Sequence, residues 1–371
     1  MLTRKFRETY IAQSDDFGTM CKTLLSRIPE SKLVASLVFY GNPLDDNEYS
    51  HQLNILNDIL CNSCPDSVPP FFYIAQKPLT GGLILEVCLF EGMAGQVICY
   101  KQYSGIRYLT IQTDNSRELI IGGPCSVDLS GNTYQQASSV FQKIGAIFSR
   151  ENMPVNSIIR QWNYIGDITG YYGGIQNYHQ FNLARSHFYD PANWENGYPA
   201  ATGIGITAGV VIVRLEAMEA SSPDIKNIAI NNNLQVPAHQ YSTEVLAGHD
   251  QTSGAPKFER ARLLEDEVTC TVFISGTAAI RGEKSMAPDD AAEQTRITME
   301  NIFNLIPAGK APVFEVFIIY LKCEQDFTLV KMVAEKILPE VSPVYVVGKL
   351  CRDELLVEME GVYQWPIRNH S

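Results

Sequence analysis

The sequence predicts an α+β protein made of two tandem copies of one unit, with helices packed on mixed β-sheets. Two observations lead to this fold class. Runs rich in β-branched and aromatic residues alternate with stretches of helical periodicity, and the same order of elements occurs twice. With 371 residues the chain is long enough for two domains of ordinary size. We therefore expect an N-terminal domain at 1–225, which includes an extension at 1–80, and a C-terminal domain at 226–371.

The first copy is predicted to follow this extension, in which we expect a strand at 33–40 and a helix near 46–60. The first helix of the copy is predicted from Val140, Ile144 and Ile147, which share one face at helical spacing. The elements of the copy, in order, are strands at 82–90, 95–112 and 118–123, a helix at 132–148, a strand at 154–168, a helix at 175–189, and strands at 198–206 and 210–219.

The second copy repeats this order after a polar connection at 221–262. Pro288 and Asp289 have the residue types of a helix N-terminus. The elements expected are a strand at 268–280, a helix at 289–306, a strand at 312–327, a helix at 327–338, and strands at 343–350 and 354–363. The first copy is the longer one, with extra residues in the Gly/Tyr-rich 169–178 and in 190–197.

Composition and charge exclude several functions. The chain has 41 acidic and 29 basic residues, a net charge of −12, whereas nucleic-acid binders need a basic face. The longest apolar runs reach about half of the ~20 residues that span a bilayer, and the first residues lack the apolar core of a secretory signal. Most of the nine cysteines lie in apolar runs, which is typical of reduced thiols in the cytosol. We expect a cytoplasmic protein that binds neither membranes nor nucleic acid.

No motif predicts a metal or an organic cofactor. The glycines at 203–209 have the spacing G-x-G-x-x-x-G, and a dinucleotide fingerprint needs G-x-G-x-x-G between a strand and a helix. Cys61 and Cys64 have CxxC spacing, but no second pair accompanies them, so a structural zinc site is disfavoured.

Four residues are candidates for chemistry. Arg160 interrupts an apolar strand and Arg185 lies on an aromatic-rich helix, so each guanidinium needs an anionic partner. That partner is either a bound carboxylate or an internal Asp or Glu, and internal ion pairs are the commoner case. Glu358 lies on one face of a predicted strand, which is either a solvated face or a catalytic one. Cys351 precedes that strand and is, from its position alone, an ordinary turn residue.

Several segments together resemble the chorismatase family, enzymes that remove pyruvate from chorismate and whose domains have the RidA/YjgF-like (chorismate mutase-like) fold. The most specific are YHQFNLARSHFY at 178–189 and YPAATGIG at 198–205. The others, in chain order, are RQWNYIGDI, LQVPAHQYS, KFERARL, FISGTAAI and VGKLCRDELLVEME. The resemblance covers roughly 158–360. It implies that both predicted domains are RidA-like and that the C-terminal one carries the acid.

The resemblance also implies roles for individual residues. Glu358 stands at the family's general-acid position, and Cys351 stands where the branch similar to 3-hydroxybenzoate synthases has a cysteine. Segments that line the substrate pocket in the family contain Arg160, Tyr178, Arg185, Thr202 and Gly203. Relatives often have an arginine where this chain has Lys322. We expect Lys322 and Arg214 to bind the substrate, and Arg262 is the alternative to Arg214.

The implied reaction is conversion of chorismate to 3-hydroxybenzoate and pyruvate without a metal or cofactor, by a monomer or small homo-oligomer. Two alternatives lie within the same enzyme class: hydrolysis to 3,4-dihydroxycyclohexa-1,5-diene carboxylate, and formation of 4-hydroxybenzoate. An alternative of another class is a RidA-like module that binds small carboxylates or scavenges enamines.

Overall fold

The computed structural model describes residues 2–65, 67–122, 131–242, 255–306 and 313–367. Numbered in chain order, the helices of these residues are α1 Phe17–Leu25, α2 Asp46–Ser63, α3 Thr133–Arg150, α4 Asn177–Tyr189, α5 Ala291–Phe303 and α6 Phe327–Ile337. The strands are β1 Lys5–Ala12, β2 Leu33–Gly41, β3 Phe71–Ala75, β4 Leu83–Phe90, β5 Val97–Tyr103, β6 Ile106–Gln112, β7 Ser116–Ile121, β8 Ile158–Gly166, β9 Tyr171–Tyr172, β10 Ile175–Gln176, β11 Ala200–Ile206, β12 Val211–Ala220, β13 Lys226–Ile230, β14 Ala261–Glu265, β15 Thr269–Ala278, β16 Ile280–Arg281, β17 Lys284–Ser285, β18 Val313–Leu321, β19 Val344–Val347 and β20 Val357–Pro366.

Two six-stranded sheets have the same strand order. One runs β5-β6-β7-β12-β8-β11 and the other β13-β14-β15-β20-β18-β19. In both, the last two strands are parallel and the others are antiparallel, as in β8 with β11 and β18 with β19. The chain passes from one sheet to the other between Ala220 and Lys226. The predicted α+β class with a repeated order of elements is confirmed, while the division into two domains at 225/226 stays a prediction.

The N-terminal residues form a further unit of the same kind. Their four-stranded sheet has the order β1-β4-β2-β3, which corresponds strand for strand to β7-β12-β8-β11, and β2 and β3 are again parallel. This corrects the expectation that 1–80 is an extension and that 82–90 opens the first copy, because β4 lies between β1 and β2. A strand buried along its whole length, as β4 is, does not indicate by its pattern which sheet it joins. We call residues 5–90, 97–220 and 226–366 the N-terminal, middle and C-terminal units.

The helix α3 begins at a residue that caps it and packs on its own sheet. In α3, Asn132 accepts a hydrogen bond from the backbone N–H of Gln135, whose side chain accepts from the N–H of Asn132. Val140, Ile144 and Ile147 of this helix are buried, as the periodicity predicts. No helix of the described residues is long and apolar enough to cross a membrane.

Buried charges connect the three units. Arg7 of the N-terminal unit pairs with Glu216 of the middle unit at 2.9 Å and with Glu315 of the C-terminal unit at 3.4 Å. Lys5 lies 3.6 Å from Glu216, and Arg214 pairs with Glu86 at 2.9 Å. Although burial alone would raise the pKa of Glu216, Arg7, Lys5 and Arg214 lower it to about 2. This carboxylate therefore stabilises the fold above its ordinary pKa, and the stabilisation is lost as pH falls towards 2.

Replacing Glu216 by Ala should destabilise the protein by about 3–5 kcal/mol, because it removes the buried carboxylate that Arg7, Lys5 and Arg214 share. Urea unfolding at neutral pH measures the effect. The matched control is Glu335→Ala, which removes an exposed pair with Lys331 on α6 and should change the free energy of unfolding by no more than about 0.5 kcal/mol. Equal effects of the two substitutions would contradict this role of the buried charges.

Candidate active site

A cavity of about 750 Å³ lies between the middle and C-terminal units. Cavities of this size commonly hold small organic molecules. The middle unit contributes α4 and β11 to its wall, and the C-terminal unit contributes β15, β20 and the loop that precedes β20. The lining side chains on which the chemistry depends are Tyr171, Gln176, Tyr178, Asn182, Arg185, Thr202, Tyr241, Arg260, Cys351, Arg352 and Glu358.

The two walls are held together by hydrogen bonds between β11 and β15. The Ser275 hydroxyl accepts from the backbone N–H of Ala201 at 2.9 Å, and the Thr202 hydroxyl accepts from the backbone N–H of Gly276 at 2.9 Å. Because each bond joins a backbone N–H to a hydroxyl on the other strand, the two edges cannot slide without breaking both. The cavity is therefore part of the packing between units.

Glu360 is a fully paired carboxylate behind the cavity. It lies on β20 and accepts hydrogen bonds from Arg160, from the Trp162 indole at 3.1 Å and from the Tyr320 hydroxyl at 2.8 Å. Thr202 donates to it as well. Its charge is thus balanced by one buried guanidinium and three neutral donors.

Glu358 lies two residues before Glu360 on the same strand face, in a different environment. It is 5% exposed, and its carboxyl forms no ion pair with another described residue. Burial raises the pKa of Glu358 to about 8, and Glu360 adds to this, while Arg160 and Arg260 act in the opposite direction. The carboxyl therefore keeps its proton at neutral pH and faces the cavity as an acid.

Gly276 leaves the room that this carboxyl occupies. A Cβ at position 276 would lie 2.1 Å from the Glu358 Oε1 atom and 3.1 Å from the Thr202 Cγ2 atom. Any larger residue would push the acid away from the β15 backbone. The predicted strand 268–280 thus contributes a gap, and β20 contributes the acid.

Two buried arginines line the cavity without an ion pair to any described carboxylate. Arg185, on α4, donates to the Asn182 side chain at 2.7 Å, and its Nε has no hydrogen-bond partner among the described residues. Arg260 donates to the Tyr241 hydroxyl and to the Val236 carbonyl, both at 2.8 Å, and within the same residues its Nε has no partner either. Uncompensated buried guanidinium groups are costly, so a cavity with two of them favours an anionic ligand.

Cys351 lies in the same cavity, in the loop before β20. Burial, with the nearby Glu358 as the second cause, raises the pKa of the Cys351 thiol to about 12. The residue is therefore a neutral thiol at physiological pH and not a thiolate. Its spacing from Glu358 along the sequence does not by itself bring the two together, but the loop does.

The structure brings six of the predicted site residues to this cavity: Tyr178, Arg185, Thr202, Gly203, Cys351 and Glu358. The packing of Tyr178 explains Gly203, because a Cβ there would lie 2.9 Å from the Tyr178 ring. The strand face of Glu358 is buried between units, so the solvated alternative is wrong.

Three predicted substrate ligands lie outside the cavity lining, and their expected role is corrected. Arg160 is paired with Glu360, which is the internal ion pair that the sequence left open. Arg214 is paired with Glu86 in the charge cluster between the units. Lys322 donates to the Asp353 carbonyl and so supports the loop that carries Cys351.

Sequence reasoning missed Arg260, Tyr241 and Arg352. Arg260 is in the quoted segment KFERARL, but nothing in its spacing indicates that it faces the cavity. Arg352 donates to the Glu283 carbonyl at 2.9 Å and stacks over the Tyr241 ring at 5.3 Å. These residues come together only through the packing of separate loops, so no local pattern could have identified them.

Comparisons with known proteins agree with the resemblance. Residues 102–217 match the family model described as chorismatase FkbO/Hyg5-like, N-terminal. The chain is 30% identical over 230 residues to a 3-hydroxybenzoate synthase of Streptomyces hygroscopicus. The aligned region covers 57% of this chain and 65% of that protein. The chain is 28% identical over 224 residues to a chorismatase of Streptomyces rapamycinicus, with an aligned region that covers 56% of this chain and 64% of that protein. The chain thus matches less than two thirds of the length of either relative.

A crystal structure of a chorismatase has the same overall fold. The TM-score is 0.71 at 20% sequence identity, and the match covers 97% of this chain and 98% of that one. The resemblance to the chorismatase family and the predicted α+β fold class are confirmed.

Glu358→Gln should stabilise the protein increasingly as pH rises from about 5 to 8. The folded chain holds the Glu358 proton up to about pH 8, whereas the unfolded chain releases it near 4.5. Stability of the wild type therefore falls across this window, and the neutral Gln escapes that loss. Urea unfolding of both proteins at pH 5 and 8 measures the difference, which should grow by more than about 1 kcal/mol. A difference that is independent of pH would show that Glu358 titrates normally.

Proposed function

We propose that this chain is a chorismatase that converts chorismate to 3-hydroxybenzoate and pyruvate. The observation that carries the proposal is the buried, protonated Glu358 in a cavity with two arginines that form no ion pair with any described residue. The names of the relatives support the same substrate and product, since one is a 3-hydroxybenzoate synthase and another a chorismatase. We further propose a cytosolic monomer or small homo-oligomer that needs no metal or organic cofactor.

The charges of the cavity match those of the substrate. Chorismate has two carboxylates, one on the ring and one on the enolpyruvyl ether. Arg185 and Arg260 line the cavity, each with an Nε donor that has no partner in the described part of the chain, and a guanidinium binds a carboxylate in a bidentate manner. We infer that each arginine binds one carboxylate, so the ether is held between the anchors.

The difficult step is protonation of the enol ether. A proton must be added to the terminal methylene carbon, which leaves an oxocarbenium-like cation on the ether carbon. Glu358 can donate this proton at neutral pH because its pKa is raised to about 8. The carboxylate that remains is then the group that stabilises the cation.

The ring hydroxyl completes the reaction in place of water. Its oxygen bonds to the ring carbon that carries the ether, the ether bond to that carbon breaks, and pyruvate leaves with the electron pair as its keto oxygen. The hydroxyl proton returns to Glu358. The strained ring product then opens and aromatises to 3-hydroxybenzoate, with the neutral Cys351 thiol as the nearby group that assists this proton movement. The two products together have the atoms of chorismate, so no water is consumed.

Incubation of the purified protein with chorismate tests the proposal. Pyruvate is measured with lactate dehydrogenase, and the ring products are separated by chromatography. Pyruvate and 3-hydroxybenzoate in equal amounts are expected. The dihydroxycyclohexadiene carboxylate or 4-hydroxybenzoate as the main product would replace the reaction by one of its alternatives, and binding of chorismate without pyruvate release would favour the binding module.

Glu358→Gln should lower the rate of pyruvate release by a factor of about 100 or more, because the amide keeps the shape of the acid but cannot donate its proton. Steady-state kinetics with chorismate measure the effect. Glu335→Ala on the exposed face of α6 is the control and should keep the wild-type rate. Undiminished pyruvate release by Glu358→Gln would place the proton donor elsewhere.

Cys351→Ala should leave pyruvate release largely intact and change the ring product. The acid remains in place, but without the thiol water reaches the cation, so the product shifts from 3-hydroxybenzoate towards the dihydroxycyclohexadiene carboxylate. Chromatography of the reaction mixture measures the ratio. Cys323→Ala is the matched control, since this exposed cysteine does not line the cavity. An unchanged ratio in Cys351→Ala would reduce Cys351 to a loop residue.

A further inference from the structure

The three units differ at one connection that borders the cavity. In the middle unit, residues 167–176 link β8 to α4 and contain the hairpin β9–β10. The corresponding links are 42–45 between β2 and α2 and 322–326 between β18 and α6. The repeated fold therefore does not require the hairpin. Among the described residues of the three units, only those of the middle one form a hairpin in this link, and the helix that follows it, α4, carries Arg185.

The hairpin is attached to α4 near its base and on both sides of its turn. At the base, the backbone N–H of Tyr178 donates to the Ile168 carbonyl at 3.0 Å. Beside the turn, the Gln180 side chain donates to the Tyr172 carbonyl at 2.9 Å and to the Ile175 carbonyl at 3.4 Å. At the turn, Gly173 and Gly174 have φ of +60° and +81°, which glycine adopts at no steric cost. These bonds hold the backbone of Tyr171 beside the cavity and leave its side chain to respond to a ligand.

The two tyrosines of the hairpin differ in where they lie. Tyr171 lines the cavity although it is 71% exposed, so it stands at the cavity mouth. Tyr172 is 60% exposed and is not part of the lining. A large aromatic side chain exposed beside a cavity gains apolar contact when a ligand fills it.

We propose that Tyr171 determines product specificity by covering the bound ring and keeping water from the cation. The inference rests on the proposed function. After Glu358 protonates the enol ether, two oxygens compete. Attack of the ring hydroxyl gives 3-hydroxybenzoate and pyruvate, as above. In the other route a water oxygen bonds to the oxocarbenium carbon and its proton returns to Glu358. The bond from that carbon to the ring oxygen then breaks, the ring oxygen takes the remaining proton of the former water, and the dihydroxycyclohexadiene carboxylate and pyruvate form with one water consumed. Closing a site over a reactive cation suppresses the second route.

Product ratios from chorismate test the proposal in wild type, Tyr171→Ala, Tyr171→Phe and Tyr172→Ala. Tyr171→Ala should raise the ratio of diene to 3-hydroxybenzoate by at least about threefold, because the cover is lost. Tyr171→Phe keeps the ring and should retain the wild-type ratio, as should Tyr172→Ala from the outer side of the hairpin. The same ratio in Tyr171→Ala and Tyr172→Ala would overturn the proposal.

Hydrogen exchange separates this inference from the proposed reaction. With saturating 3-hydroxybenzoate, amides at 171–176 should exchange more slowly in the wild type, and the effect should be absent in Tyr171→Ala. If the wild type releases no pyruvate, the reaction is wrong, and the exchange experiment still tests the cover. Equal exchange with and without 3-hydroxybenzoate would overturn the closing of Tyr171 over a ligand, whatever the activity.

Discussion

Two carboxyls lie two residues apart on one face of β20, and the site depends on the difference between them. Glu360 accepts from the buried Arg160 and from three neutral donors, and Glu358 is left without a counter-cation among the described residues. Had Arg160 paired with Glu358 instead, the acid would be ionised at neutral pH and could not donate a proton. Burial, with the repulsion from the neighbouring Glu360 as the second cause, keeps the proton on Glu358. One strand thus carries a structural carboxylate and an acid, distinguished by the partners that surround each.

The repeated fold explains why Glu358 and Glu360 have different surroundings. In the described residues each unit is a mixed sheet with two α-helices, and buried charges such as those around Arg7 join the units. Where the middle and C-terminal units meet, β11 and β15 are tied by hydroxyl-to-backbone hydrogen bonds, and the cavity lies beside these bonds. Side chains from both units line it, so neither unit alone contains the site. Arg185, which forms no ion pair with a described residue, lies in one wall, and Glu358 lies in the other.

Much of the fold follows from local patterns, and much of the site does not. Periodicity located α3 and the strand-helix order of the two larger units, because amphipathic faces are visible in sequence. The N-terminal unit was not predicted, since β4 is buried along its whole length and its pattern does not indicate which neighbouring sheet it joins. The resemblance located Glu358, Cys351 and Arg185. It misplaced Arg160, whose partner Glu360 lies two hundred residues away in the chain, and that ion pair is a product of packing between units.

The central claim is that Glu358 is a protonated acid at neutral pH. Infrared difference spectroscopy of the wild type against Glu358→Gln detects a protonated carboxyl directly through its carbonyl stretch. The account predicts a band that is present in the wild type at pH 7, absent in the variant, and lost with a midpoint near the raised pKa of about 8. A wild-type spectrum in which the Glu358 carboxyl is already ionised at about pH 6, above its ordinary range, would contradict it.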